Sequence, residues 1–322
     1  MNAKPNTSET PLLSVVTPAY NEAANLPVLY ERLTPVLDRL GVSWEWVIVD
    51  DHSQDATFDA VRTLARADSR VRGVRLSRNS GSHTAIGCGL DLVLGRSIAI
   101  LAADLQDSPE TLAQMLERWR AGAHVIWAVR ETRVGESTAT RGFSRLYYWI
   151  MRRIVGLREM PATGADFWLM DRRVAEALRR FGESNVSLLA LITWMGFRQE
   201  RIFYSKQSRL HGSSGWSLEK KLKLVVDSVT SFTYRPIRFM SYVGFLFALF
   251  GFVYAAFVVL NALTGKPVEG WSSLMVAVLV IGGLQMAFMG VLGEYIWRAL
   301  DESRHRPHYL IEDSTDTGDA DL

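Results

Sequence analysis

The stretch LLSVVTPAYNEAANLPVLYERLTPVLDRLGVSWEWVIVDD, residues 12–51, decides the fold class. Residues 12–17 are an apolar run of strand length, and residues 46–49 are another. Between them, 25–40 reads as a helix that stops at Gly41. The same alternation continues downstream. Residues 71–76, 98–102 and 125–129 are strand-like, while 82–94 stops at Gly95 and 108–121 stops at Gly122. Ser108 followed by Pro109 is a helix-start signal, and glycine past the last turn is a stop. Strands alternating with helices over 12–210 predict an α/β domain with a largely parallel sheet.

The chain has 322 residues, room for about two domains. Apolar residues make up 48% and charged residues 22%, which excludes global disorder. A net charge of +2 argues against a nucleic-acid partner recognised by bulk charge. Cys88 is the single cysteine, so neither an internal disulfide nor a cysteine-based zinc site is expected. Residues 1–14 are polar without an apolar core, so no secretory leader is expected there.

Two later stretches, 239–260 and 271–293, contain no charged residue. At about 1.5 Å per residue each reaches ~33 Å, close to the hydrocarbon thickness of a bilayer. Core helices of soluble proteins are rarely apolar on every face, so both read as membrane spans. Arg235 and Arg238 precede the first, and Arg298, Arg304 and Arg306 follow the second. The positive-inside rule then places both flanks and both termini in the cytoplasm and the short 261–270 loop outside. This is a multi-pass hairpin of the inner (plasma) membrane.

The resulting division is a polar segment 1–11, a cytoplasmic α/β domain 12–215, a juxtamembrane amphipathic helix 216–237, the hairpin 238–298, and a tail 299–322, acidic and disordered from Asp313. Residues 141–157 mix four arginines with aromatic and aliphatic residues. Residues 217–232 set Lys220, Lys221 and Lys223 against Leu218, Leu222, Val225, Val229 and Phe232. Both suit a lipid headgroup surface. The alternative is a helix packing on its own domain, which the second stretch, running straight into the first span, suits less.

Ligands of open α/β sheets bind beyond the carboxyl ends of the strands. Asp50-Asp51 stands at one such end, and Asp104-Leu105-Gln106-Asp107 follows another. Carboxylates clustered with an amide can hold a hard divalent cation, or each can cap a helix. Thr17-Pro18-Ala19-Tyr20-Asn21-Glu22 adds an aromatic face and a carboxylate after the first strand. No G-x-G-x-x-G follows that strand and no P-loop motif occurs, which disfavours a dinucleotide oxidoreductase and a P-loop enzyme.

The motifs run in the order PAYNE (18–22), VDDHSQD (49–55), RNSGSHTAIGCGLD (78–91), ADLQDSPE (103–110), GADFWLMDRR (164–173) and RLHGSSGWSLEKKLKL (209–224), ahead of the hairpin. This order resembles glycosyltransferase family 2, in particular its polyprenyl-phosphate (dolichyl-phosphate-like) glycosyltransferases, over roughly residues 12–298. The resemblance implies a GT-A, Rossmann-like nucleotide-sugar domain. It implies inverting transfer of a sugar from a nucleotide-diphosphate donor to a polyprenyl phosphate, with Mg2+ or Mn2+, for cell-envelope glycan assembly. Pro18, Tyr20, Glu22, Val49, Asp51, Ala103 and Asp104 match positions that bind the nucleotide sugar. Asp104 and Gln106 match the metal and diphosphate positions. Arg130, Arg141 and Arg209 are assigned to acceptor phosphate. Asp166 matches an acidic position near the reacting centre, where it is expected to position a sugar hydroxyl or stabilise the developing cation. Asp166, Asp104, Arg130 and Arg209 form the expected catalytic set.

There are departures from the family pattern. Ala102 replaces the usual first Asp of D-A-D-L-Q, Gly215 stands where a lysine is usual, and His52 replaces a glycine. His83 is expected either to face donor phosphates or to cap its helix at Ser82. Two rival functions remain open on sequence: a glycolipid synthase using a diacylglycerol hydroxyl, which needs Asp166 as a true base, and a non-catalytic membrane-anchored binding protein. Paired hairpins suit a homo-oligomer.

Overall fold

The computed structural model describes residues 10–130, 138–161, 165, 167–181, 187–204, 228, 230, 232–264, 270–304 and 306–316. Two compact units emerge: Met1–Val225 with Pro307–Leu322, and Val226–Arg306.

The first unit is an α/β domain. Its elements are β1 (Leu13–Ala19), α1 (Asn25–Arg39), β2 (Trp44–Asp50), α2 (Thr57–Ala67), β3 (Val71–Leu76), α3 (Ser82–Leu92), β4 (Ser97–Ile100), α4 (Thr111–Arg120), β5 (Val125–Arg130), α5 (Thr138–Trp149), β6 (Phe167–Asp171), α6 (Arg172–Leu178), α7 (Leu188–Trp194) and β7 (Gln199–Tyr204). Two apolar helices follow, α8 (Arg235–Leu263) and α9 (Trp271–Ser303), before a last strand, β8 (Ile311–Ser314). The sheet order is β7-β5-β6-β4-β1-β2-β3-β8. β6 runs against β4 and β5, and β8 runs against β3; the other strands are parallel.

Parallel strands are covered on both faces and therefore read as unbroken apolar runs. β2 is buried along its whole length and β1 at all but Pro18. α1 buries Leu26, Leu29, Leu33, Val36 and Leu37, a stripe at helical spacing laid on the sheet. That helix ends at Gly41, whose φ of +63° is costly for any residue with a Cβ.

Four differences from the sequence reading have physical causes. First, α3 ends at Leu92, not at residue 94. The chain is pulled off the helix by a polar network: Glu45 accepts from the Leu94 amide (2.6 Å) and from the Ser14 hydroxyl (2.6 Å), and Arg72 reaches the Leu92 carbonyl. Gly95 is not a cap; a Cβ there would lie 2.4 Å from Ser14 Oγ, so the glycine is needed for close approach. Second, α4 begins at Thr111 after a turn in which the Thr111 amide donates to the Ser108 carbonyl (3.1 Å). Third, β6, β7 and β8 were not foreseen. Fourth, the tail is not disordered from Asp313. Asp313 pairs with Arg75 and Ser314 with Val74 in the β8–β3 ladder, and the Thr315 amide donates to the Gly73 carbonyl (2.9 Å). Acidic composition misled because the partners are arginines: Arg62 binds Asp313, and Arg75 binds Glu312 (2.9 Å).

Across 141–157, α5 gives way to a π-helical turn, Ile150–Val155. Tyr147, Met151 and Leu157 are buried in the domain, while Arg145, Leu146, Trp149, Arg152 and Arg153 are exposed. The segment therefore packs by one face and presents a basic, aromatic one. Of the predicted 216–237 helix, residues 228, 230 and 232 are helical; most of the rest, with Lys220, Lys221 and Lys223, lies outside the described residues.

In the second unit, α8 and α9 enclose the two uncharged stretches and are long and apolar enough to cross a membrane. Their large side chains point outward; Phe252, for example, is 76% exposed. An apolar surface this extended marks an interaction face. The Tyr295 hydroxyl donates to the Thr233 carbonyl at 2.9 Å.

Candidate active site

β1 lies between β2, which follows it, and β4, which is reached only after β3. The chain thus reverses its direction of growth across the sheet beside β1, and the strand ends there form the crevice where such sheets bind ligands. The loops leaving β1, β2 and β4 carry the first two acidic clusters and the Pro-x-Tyr-Asn-Glu turn.

The β1 and β2 loops are laced together. The Asp51 amide donates to the Ala19 carbonyl (2.8 Å), and the Asn21 amide to Ser53 Oγ (2.9 Å). The Gln54 amide donates to Asn21 Oδ1 (2.9 Å), and the Glu22 amide to Thr57 Oγ1 (2.9 Å). Tyr20 is left with an exposed ring and Pro18 is half-buried, whereas Val49 is wholly covered and forms floor. Glu22 accepts from Asn25 Nδ2 at 2.5 Å.

The aspartate pair divides its labour. Asp50 is fully buried and held by Arg75 Nη1 (3.0 Å) and the Ser53 amide (3.0 Å). Asp51 turns toward the β3–α3 loop, accepting from the amides of Ser80 (2.7 Å) and Gly81 (2.8 Å). Burial still holds its carboxyl above the usual range, opposed by those two amide bonds. The folded chain therefore takes up a proton on Asp51 at higher pH than the unfolded chain does. Its stabilising contribution is present below the unfolded value and is lost as pH rises through the folded one. On moving from neutral to mildly acidic pH, the melting temperature of the wild type is expected to gain on that of Asp51→Asn; parallel melting curves would refute this.

Asp104 follows Ala103 on the β4 loop, and both are buried. The Gln106 amide donates to Asp104 Oδ1 at 3.2 Å. Asp107 takes a separate role, accepting from the Tyr204 hydroxyl at the end of β7. Tyr204 is in register with Arg130, so the β5 end lies beside the anchor of the Asp104 loop. Among the described residues no three carboxylate, histidine or cysteine side chains converge on one metal position. Asp166 and Arg209 lie outside the described residues, as does the Arg141 side chain within α5.

Among the described residues, three that are not glycine have positive φ: Asn21 (57°), His52 (59°) and Leu105 (59°). Each sits just past β1, β2 or β4. Such strain collects where surrounding structure fixes a loop for function. The glycine usual at position 52 is explained by this backbone, and the Nδ1 of His52 lies 3.0 Å from the Leu76 carbonyl. The Nδ1 of His83 accepts from the Leu188 amide (3.3 Å), tying α3 to α7. Arg75 was missed in the sequence, where nothing in VRGVRL distinguishes it from Arg72. The amides of Ser80 and Gly81 were also missed.

Two cavities among the described residues lie elsewhere. One of about 430 Å³, bordered by Arg96, His124 and Asp171, is at the opposite ends of the strands. The other, about 160 Å³, lies between α3, α6 and α7. Neither takes in the acidic strand ends.

Residues 14–179 match the glycosyl transferase family 2 model, just over half of the chain. The chain belongs to glycosyltransferase family 2. It is a glycosyltransferase with a GT-A-like sheet, and residues 235–299 match the GtrB C-terminal hairpin. It is 36% identical to the uncharacterized glycosyltransferase YkcC of Bacillus subtilis over 94% of this chain and 93% of that one. It is 33% identical to the bactoprenol glucosyl transferase of Shigella phage SfV over 93% of this chain and 98% of that one. It is 32% identical to the prophage bactoprenol glucosyl transferase homolog of Escherichia coli over the same shares, 93% and 98%. The hairpin lies outside the family 2 region and, with its two apolar helices, points to a membrane-associated glycosyltransferase.

Proposed function

We propose that this glycosyltransferase moves a sugar, with inversion, from a nucleotide-diphosphate sugar to a polyprenyl phosphate at the cytoplasmic face of the inner membrane. One observation carries the proposal: a family 2 domain and a GtrB-type hairpin occupy one chain, collinear over 93% of its length with a bactoprenol glucosyl transferase. The substrates follow from the chemistry of such a carrier. A polyprenyl tail stays in the bilayer, so its phosphate stays at the headgroup plane, where a hairpin-anchored domain can meet it. The exposed Arg145, Trp149, Arg152 and Arg153 suit that plane.

A phosphate monoester has a second pKa near ~6, so its oxygen is already ionised at neutral pH and needs no strong base. The work left to the protein is to neutralise the departing diphosphate and align two anions. Tyr20, Glu22 and Asp51 line the nucleoside side. Arg130 and Arg209 clamp phosphate through paired donors, which lysine cannot supply. Asp166 positions the sugar. The Asp104 carboxylate and the Gln106 amide oxygen are hard donors, and too few to hold an ion alone. They fit a magnesium or manganese ion that completes its shell with diphosphate oxygens. Bound there, the ion supplies charge neutralisation. Ala102 removes a further carboxylate from this set.

The test is a screen of labelled nucleotide sugars with polyprenyl phosphate or diacylglycerol, with and without metal. Lipid-linked sugar on the phosphate alone supports the reading. Transfer to diacylglycerol, or no transfer at all, overturns it in favour of a glycolipid synthase or a binding protein.

Orientation has its own test. Cys88 is wholly buried and its thiol is pushed up to about 12, mainly by burial, so it is silent toward maleimides at neutral pH. Lys266→Cys, in the hairpin loop, is expected to react with an impermeant maleimide on intact cells. Arg158→Cys, on the exposed surface of the first unit, is expected to react only after permeabilisation. The reverse pattern would invert the topology.

A further inference from the structure

One partner of the 50–53 turn comes from beyond the hairpin. β8 pairs Ser314 with Val74, Asp313 with Arg75 and Ile311 with Leu76, and the register shifts between Arg75 and Leu76. Glu312 is the residue left over at that bulge. A bulge re-aims a side chain, and bulges are common beside active sites. Here the Glu312 carboxylate meets Arg75 Nε at 2.9 Å and lies 3.4 Å from His52 Nδ1. The other ends of Arg75 hold Asp50 (3.0 Å) and the Ser53 carbonyl (3.0 Å). Both near neighbours of His52 Nδ1, Glu312 and the Leu76 carbonyl, are acceptors, which assigns the ring hydrogen to Nδ1. Glu312 thus touches His52 directly and reaches Asp50 through Arg75, the residues on either side of Asp51.

We propose that Glu312 is a positioning residue for the donor site. Through Arg75 and His52 it fixes the 50–53 turn, so that Asp51 is held ready for the nucleoside. The inference rests on the donor-site reading above and deepens it. β3 alone cannot supply this, because without β8 it is a sheet edge and the Arg75 Nε has no carboxylate. The residues flanking β8 have their own attachments: the Gly73 amide donates to Thr315 Oγ1 (2.8 Å), the Tyr309 hydroxyl to Asp91 (2.8 Å), and Arg72 pairs with Asp316 (3.5 Å). Loss of Glu312 therefore leaves the strand attached and loosens the turn.

The test uses the full-length protein in lipid nanodiscs. Equilibrium binding of UDP, GDP, ADP, CDP and dTDP, each with magnesium or manganese, is measured first on the wild type. If none binds, the donor-site reading fails, and this inference with it. With the nucleotide that binds, Glu312→Ala is expected to raise Kd and donor KM about tenfold while kcat stays within about threefold. Glu312→Gln, whose amide oxygen still accepts from Arg75, is expected to stay within about threefold of wild type. Asp316→Ala, which loosens the same strand away from the turn, is expected to bind as wild type does. If Glu312→Ala does not fold, Glu312→Thr, a good strand former, replaces it under the same thresholds. A rise below about threefold, an equal rise in Asp316→Ala, or a fall in kcat without one in affinity overturns the proposal.

Discussion

Asp104→Asn is expected to lower sugar transfer by roughly a thousandfold and to leave the protein folded. The replacement is nearly isosteric, and its amide oxygen can still accept from the Gln106 amide as Oδ1 does at 3.2 Å. What is lost is the negative charge. With Ala102 in place of the usual first aspartate, few hard donors remain on this loop, and Gln106 is neutral. Among the described residues no cluster of carboxylates stands ready to take over. Turnover measured against magnesium and manganese concentration should saturate for the wild type and stay flat for the variant. Wild-type turnover in Asp104→Asn would remove the metal assignment, whereas normal turnover in metal-free buffer would remove the metal itself.

The second large effect is expected at the phosphate clamp. Arg130→Ala and Arg209→Ala should each reduce kcat by about a hundredfold to a thousandfold, with the protein still in the membrane fraction. Arg130 stands at the end of β5, in register with Tyr204, whose hydroxyl holds Asp107 on the same loop as Asp104. Charge on a departing diphosphate grows as the bond breaks, so a guanidinium there matters more to turnover than to binding. Arg130→Lys keeps the charge and loses the fork, and it should recover only part of the rate. Equal kcat with a raised donor KM would make Arg130 a ground-state binding residue instead.

The central sheet was legible because β1, β2 and β5 are near-continuous apolar runs, and Gly41 and Gly122 mark real helix ends at positive φ. β6 was hidden because FWLMD lies within a motif read for its chemistry, and it inserts antiparallel between β4 and β5. β8 was illegible for a different reason. IEDS has no strand-like apolar pattern, and its side chains are held by arginines some 240 residues earlier in the chain, such as Arg75, which donates to Glu312. At the site, the strand-end position of Asp51 and Asp104 could be read directly. The division between Asp50 and Asp51 could not, since it depends on Arg75 reaching one carboxylate and the Ser80 and Gly81 amides reaching the other.

The placement of β8 also orders biosynthesis. A nascent domain can assemble β1 through β7 while the ribosome is still working, but the strand that seals β3 is translated only after both apolar helices. Until then the outer rim of the sheet stays unpaired, a surface prone to pairing with other chains. Any polypeptide stalled or cleaved within the hairpin keeps that rim open, so completion of the sheet reports that both apolar helices have been made.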